Sequence, residues 1–170
     1  MATDTHTAEE HIAKLNELVK DIEFAMMTTI EPDGDLRSRP MATQKTEFDG
    51  TCWFFTTASD PKVAEVRRDQ RVNLSFASKE DNAWVSMSGV AELVRDRAKM
   101  EALWQKPLEA WWPDGLADPD LALLKVTVHQ AEYWDATSNR VAYVAGMVKA
   151  IVSDKTYDPG DNEKITLREG

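Results

Sequence analysis

The chain predicts a mainly β, α+β fold: an antiparallel sheet, closed or strongly curved, with helices at its margins. Three observations predict it. Five or six short strand-like segments follow one another at short spacing. The first three are separated by turn residues alone, which leaves no room for the crossover helix that parallel neighbours require. Helical patterns fall at the margins rather than after every strand. No repeat, low-complexity tract or linker interrupts the 170 residues, so one domain spanning 1–170 is expected.

The elements follow in order. Thr7 is placed to cap a first helix, over about residues 8–22, with Glu10 at capping-box spacing. Ile12, Leu15, Leu18, Val19 and Ile22 recur at helical spacing and give it one inward face. Phe24 to Ile30 reads as a strand, and Glu31-Pro32-Asp33-Gly34-Asp35 as a turn. Leu36 to Lys45 is extended, and a turn at Asp49-Gly50 leads to a strand from Thr51 to Thr57, completing a three-stranded meander. Asp60-Pro61 then reads as the cap and first residue of a short helix reaching about Asp69.

Val72, Leu74 and Phe76 alternate with polar or small residues as a half-buried strand, and Trp84 to Val94 forms a longer one whose Gly89 suits a bulge. Asp96 caps a helix to Trp104, and Pro107 to Pro119 is an irregular aromatic excursion. Leu121 to Val128 and Ala131 to Trp134 return to strand, with His129 after the first of them. Arg140 to Val152 is a mixed, helix-compatible segment. The polar tail, about 154–170, ends in a short strand near Lys164 to Leu167.

Composition narrows the function. A formal net charge of -10 and a pI near 4.8 argue against nucleic acid or an anionic membrane as partner. No apolar run approaches the roughly 20 residues of a membrane span. The N-terminus lacks a signal-peptide pattern, and Cys52 stands alone, so a reducing cytoplasm is the expected setting. So acidic a chain repels anions at long range, and an anionic ligand needs its own pocket of cations and N–H donors.

Two segments offer one. Arg37, Ser38, Arg39, Pro40 and Met41 lie on one extended stretch, where Arg37, Arg39 and Met41 share a face and Pro40 asks for an edge strand. Phe55, Thr56 and Thr57 end another strand in hydroxyls, just before a helix start that carries Lys62. Helix starts present N–H groups and partial positive charge to an anion, although the carboxylate of Asp60 competes for them. The plainer alternatives are a solvated edge strand with surface ion pairs and an ordinary capped helix. Trp111, Trp112 and Trp134, among six tryptophans, are placed to lie against a flat ring, while Trp53, Trp84 and Trp104 read as core or interface aromatics. His6 and His11 read as solvated, Cys52 as a small buried hydrophobe, and no metal-ligand cluster stands out.

Arg39-Pro40-Met41, Trp53-Phe54-Phe55-Thr56, Val72-Asn73-Leu74-Ser75-Phe76, Trp111 with Asp118-Pro119-Asp120-Leu121, and Glu132-Tyr133-Trp134 follow one another in an order that resembles the flavin-binding split-barrel family. That is the family of the pyridoxamine 5′-phosphate oxidases and of the general-stress FMN proteins, and the stress-protein branch is the closer match. The resemblance covers roughly residues 10 to 150. It implies an antiparallel split barrel and a homodimer with FMN in the subunit interface. Arg37 or Arg39, Phe55, Thr56, Thr57 and Lys62 would hold the phosphate and ribityl chain, and Trp134 would reach in from the second subunit.

The oxidases follow their Glu-aromatic-Trp element with Arg-Leu-His-x-Arg. Here Arg140 is in place, but Ala142 and Val144 replace the His and the last Arg, and Gln44 replaces the Lys that ends their arginine strand. The resemblance therefore implies an FMN-binding stress-related protein, and a flavin-dependent oxidoreductase of unknown substrate rather than a pyridoxamine phosphate oxidase. Two alternatives are a flavin-free structural dimer and a split-barrel enzyme using another bulky anion, a deazaflavin or haem.

Overall fold

The computed structural model describes residues 7–135 and 161–167. Helix α1 (Ala8–Val19) begins as its sequence directs: the Thr7 hydroxyl accepts from the Glu10 amide and the Glu10 carboxylate accepts from the Thr7 amide. It stops at Val19, short of Ile22. His11 is buried on its inner face beside Leu15 and Val19, a correction to the solvated position expected for it. It falls at i−4 from Leu15, so the stripe that buries the leucine takes in the imidazole too.

Strands β1 (Phe24–Ile30) and β2 (Leu36–Ala42) form a hairpin whose turn brings the Gly34 amide to the Glu31 carbonyl, with φ +94° at the glycine. The expected meander stops there. Strand β3 (Thr51–Thr57) does not pair with β2 but runs antiparallel to β6 (Leu121–Asp135), while β1 takes β4 (Arg71–Ser78) as its other neighbour. With β5 (Ala83–Val94) between β4 and β6, the order is β2-β1-β4-β5-β6-β3. The sheet curls without closing, and β2 and β3 are its two ends.

Strand β6 is continuous over 15 residues, where a break around His129 was expected. Its partner residues explain the break in pattern. Ser88 faces Gln130 and Gly89 faces Val128, so His129 is the extra residue of a β-bulge. The bulge divides the far edge of β6 between two strands: β3 pairs with its first half and β7 (Asp161–Thr166) with its last six residues. The strand expected in the tail is therefore found slightly earlier. Arg140 to Val152 lies outside the described residues.

Helix α2 (Pro61–Arg68) buries Val63 and Val66, and α3 (Arg97–Leu103) starts at Asp96, whose side chain accepts from the Lys99 amide. Two cores result. Leu15, Met27, Phe54, Val66, Leu74, Met87, Val126 and Ile165 belong to the one inside the curl. The second lies on the other face of β3, where Phe55, Leu121 and Leu123 meet Met100, Leu103 and Leu108 from α3 and the 3₁₀ turn Lys106–Ala110. An end strand buried on both faces reads as a continuous apolar run, as Trp53 to Phe55 does.

Gly89 is where this fold tolerates no side chain. A Cβ there would stand 2.2 Å from the Thr127 carbonyl oxygen, a backbone atom of the bulge itself. Gly89→Ala is expected to destabilise the protein by about 1–3 kcal/mol, as forced overpacking does, read as a lowered midpoint of urea unfolding.

Candidate functional site

A cleft of about 480 Å³, open to solvent, lies where the sheet fails to close. One wall is Pro40, Met41 and Ala42 at the end of β2, and the other is Phe55, Thr56 and Thr57 at the end of β3. Asp60 and Lys62 at the start of α2 form its polar end, and Leu108, Trp111 and Trp112 from the aromatic excursion form its flat side. Pro40 sits on this edge for a reason. The Thr43 amide donates to the Glu23 carbonyl, so alternation along the ladder turns the nitrogens of Met41 and Arg39 toward β1 and that of Pro40 outward. The proline loses no ladder bond and offers none to β3.

The wall formed by β3 is held from behind. Phe55 meets Trp104 edge-on at 5.4 Å between ring centroids and Trp112 at 6.2 Å. The Trp112 indole N–H donates to the Thr57 hydroxyl at 3.2 Å, which leaves that hydroxyl's own proton free to donate elsewhere. Ring and hydroxyl are thus fixed together.

The charged residues are arranged differently from the expectation. Arg39 turns away from the cleft into a network with α2 and β1. Its guanidinium donates to the Thr29 hydroxyl at 2.5 Å and to the Glu65 carboxylate at 2.9 Å, and Thr29 donates to Glu65 at 2.5 Å. Arg39 is 18% exposed in its side chain, while Thr29 and Glu65 are buried. A pair this deep contributes little net stability, because desolvation offsets attraction, but it fixes how α2 lies against β2. Lys62, 12% exposed, lies 2.5 Å from the Asp60 carboxylate. Burial pushes the Asp60 carboxyl up, but the bonds from the Lys62 side chain and amide, with the charges of Lys62 and Arg39, outweigh it and hold the group below the usual carboxylate range.

Of the expected site residues, Pro40, Met41, Phe55, Thr56, Thr57, Lys62 and Trp112 come together at the cleft. Arg39 stands behind it. Arg37 is outside, paired with Glu31 across the hairpin at 2.9 Å, and the Ser38 hydroxyl bonds that of Thr28. Trp134 faces Trp84 across β5 and β6. Leu121 stands opposite Thr57 at the cleft, and Trp134 is thirteen residues farther along β6, roughly 40 Å at the usual rise per residue. Both indoles are well exposed, Trp84 at 44% and Trp134 at 38%, so Trp84 is no core residue of this chain. Phe24, Ala42, Leu108 and Trp111 also line the cleft, as does Gln44, the glutamine in the place of the oxidases' lysine. Phe24 was missed because an apolar strand start signals core, and Leu108 because the excursion has no period to follow.

Burial pushes the Cys52 thiol up to about 12, with Asp49 adding to the effect, so it is a packing group and no nucleophile. Among the described residues, no cluster of three metal-binding side chains occurs, and no helix is long and apolar enough to cross a membrane.

A family model described as pyridoxamine 5′-phosphate oxidase like matches residues 10–158. The chain belongs to that family. Protein bli-3 of Neurospora crassa is 30% identical over 171 residues, which span 95% of this chain and 82% of that protein. The structure of a protein designated general stress protein 26 from Jannaschia sp. CCS1 superposes with a TM-score of 0.77 at 23% identity, covering 93% of this chain and 99% of the other. At that identity the likeness is one of fold, and it is the split barrel that the resemblance implied. The general stress FMN/FAD binding protein of Xanthomonas citri superposes at 0.67 with 29% identity, over 79% of this chain and 94% of its own.

Arg39→Met tests the network behind the cleft. Leaving the buried Glu65 carboxylate without its cation is expected to cost about 3 kcal/mol in urea unfolding. Arg39→Met with Glu65→Leu is expected to recover most of that loss, because the uncompensated charge goes with its partner.

Proposed function

We propose that the protein binds FMN in the cleft between β2 and β3 and acts as a flavin-dependent stress protein whose substrate is other than pyridoxamine phosphate. The observation that carries this reading is the grouping in one open space of an aromatic side, a row of hydroxyls and a lysine at a helix start. A flavin nucleotide needs those three things: a flat apolar surface for its ring, polar partners for its ribityl chain and a cation for its phosphate. The residues present fit it. Trp111 and Trp112 would flank the ring, Thr56 and Thr57 the chain, and Lys62 the phosphate. The FMN/FAD binding relative from Xanthomonas citri supports the choice of ligand.

A bound flavin would supply the hydride and electron chemistry, and the protein its position and surroundings. Thr57 is set to donate a hydrogen bond because Trp112 already occupies its oxygen. Arg39 acts at one remove, bracing β2 against α2 through Glu65. Gln44, Ala142 and Val144 stand where the oxidases carry Lys, His and Arg, which removes the cations that would hold a substrate phosphate. The reading includes a homodimer. The exposed Trp84 and Trp134 lie side by side on a sheet face that a second copy would cover, bringing Trp134 toward the partner's cleft.

Protein purified without added cofactor tests the ligand. Flavin absorbance bands, or saturable quenching of tryptophan fluorescence by added FMN, are the expected result. A colourless protein whose fluorescence ignores FMN would point to a flavin-free module, and a Soret band would move the assignment to haem. Lys62→Ala is expected to weaken FMN binding roughly tenfold, since it removes the cation nearest the phosphate and leaves the Asp60 carboxylate unmatched to repel it, with the thermal midpoint of the ligand-free protein nearly unchanged.

A further inference from the structure

The polar end of the cleft carries no net charge. Lys62 is matched by Asp60 at 2.5 Å, and behind them Arg39 is matched by Glu65 at 2.9 Å. The donors that a helix start offers an anion are spent as well. Pro61 has no N–H, the Lys62 amide donates to the Asp60 carboxylate at 3.0 Å, and the Val63 amide donates to the Asp60 carbonyl at 2.9 Å. Arg37 is held by Glu31 outside the cleft. Asp60 itself lines the cleft and stays ionised at neutral pH.

A phosphate monoester carries about −1.5 to −2 charges at pH 7. To reach Lys62 it must displace Asp60, breaking an ion pair and a helix cap together, or lie beside the carboxylate and be repelled by it. Nothing comparable opposes the rest of a flavin. Phe24, Met41, Leu108, Trp111, Trp112 and the Thr57 hydroxyl meet a ring and a polyol chain, which are the same with or without the phosphate.

We propose that Asp60 sets the ligand specificity of this cleft. It cancels the pull of Lys62 on a terminal phosphate, so that the cleft takes riboflavin, the uncharged flavin, about as readily as FMN. This inference rests on the flavin reading and sharpens it. Lys62 serves to neutralise Asp60 as much as to attract the ligand. Removing the lysine exposes the carboxylate and penalises the phosphorylated ligand alone.

Full-length protein stripped of ligand is titrated with FMN and with riboflavin, following tryptophan fluorescence. Dissociation constants within tenfold of each other are expected. Asp60→Asn, which keeps a capping side chain while losing the charge, is expected to tighten FMN about tenfold and to change riboflavin less than twofold. Asp60→Ser repeats the test should the asparagine variant unfold early. A preference of the wild-type protein for FMN above tenfold, or an FMN affinity unmoved in a folded Asp60 variant, overturns the proposal and leaves the flavin reading standing. Failure of both flavins to quench overturns the two together.

Discussion

The structure depends on two chain-consecutive strands that do not pair. β2 and β3 are separated by eight residues, short enough for a hairpin, yet they end up as opposite ends of a six-strand path. Had they paired, the curl would have closed and its mouth would be ladder. Instead β3 finds β6 over seven residue pairs, and β2 keeps β1 over seven more. The gap that remains is the cleft. Pro40 contributes directly, because an edge whose nitrogen faces outward without a hydrogen cannot donate to an approaching strand. The candidate site grows from an edge left open and then walled by an excursion of the chain.

Much of the local structure was legible in the sequence because it is decided locally. The Thr7–Glu10 capping box, the Asp96 cap and the edge position of Pro40 each follow from the chemistry of one or two side chains, whereas the bulge expected at Gly89 lies across from it, at His129 of β6. What was illegible is set by partners distant in sequence. The pairing of β3 with Leu121 to Thr127 rests on apolar fit across some seventy residues, and no turn residue announces it. His129 looked like the end of a strand because a bulge inserts one residue and breaks the alternation on which strand reading relies. The partner of Arg39 was hidden for the same reason. Glu65 lies in a helix 26 residues from the arginine, and only the fold brings it beneath that side chain.

A chain of net charge -10 places Lys62 in this cleft and Arg39 behind it. It does not leave them bare. A buried guanidinium or ammonium carries a desolvation cost that a bound ligand would offset only part of the time, so the ligand-free protein must supply counter-charges of its own. Glu65 does this for Arg39 behind the cleft, and Asp60 does it for Lys62 inside it. The first pair is structural and permanent. The second is partly exposed and stands where a ligand would meet it, so the same need for neutrality sets the selectivity of the site.

The two sides of the cleft are therefore unlike in stiffness. On the β3 side, Phe55 is packed between Trp104 and Trp112 over the second core, and the Trp112 indole is tied to Thr57, so ring, hydroxyl and strand are fixed before any ligand arrives. Trp111 stands next to it at the lip, 59% exposed, where burial does not constrain its ring. A flat ligand entering this space meets one surface already in place, with its ordering cost met by folding, and one that must be ordered on binding. The preformed side is built from residues of a single core. The excursion supplies apolar bulk for the outer face of β3 and the flat side of the site with the same residues.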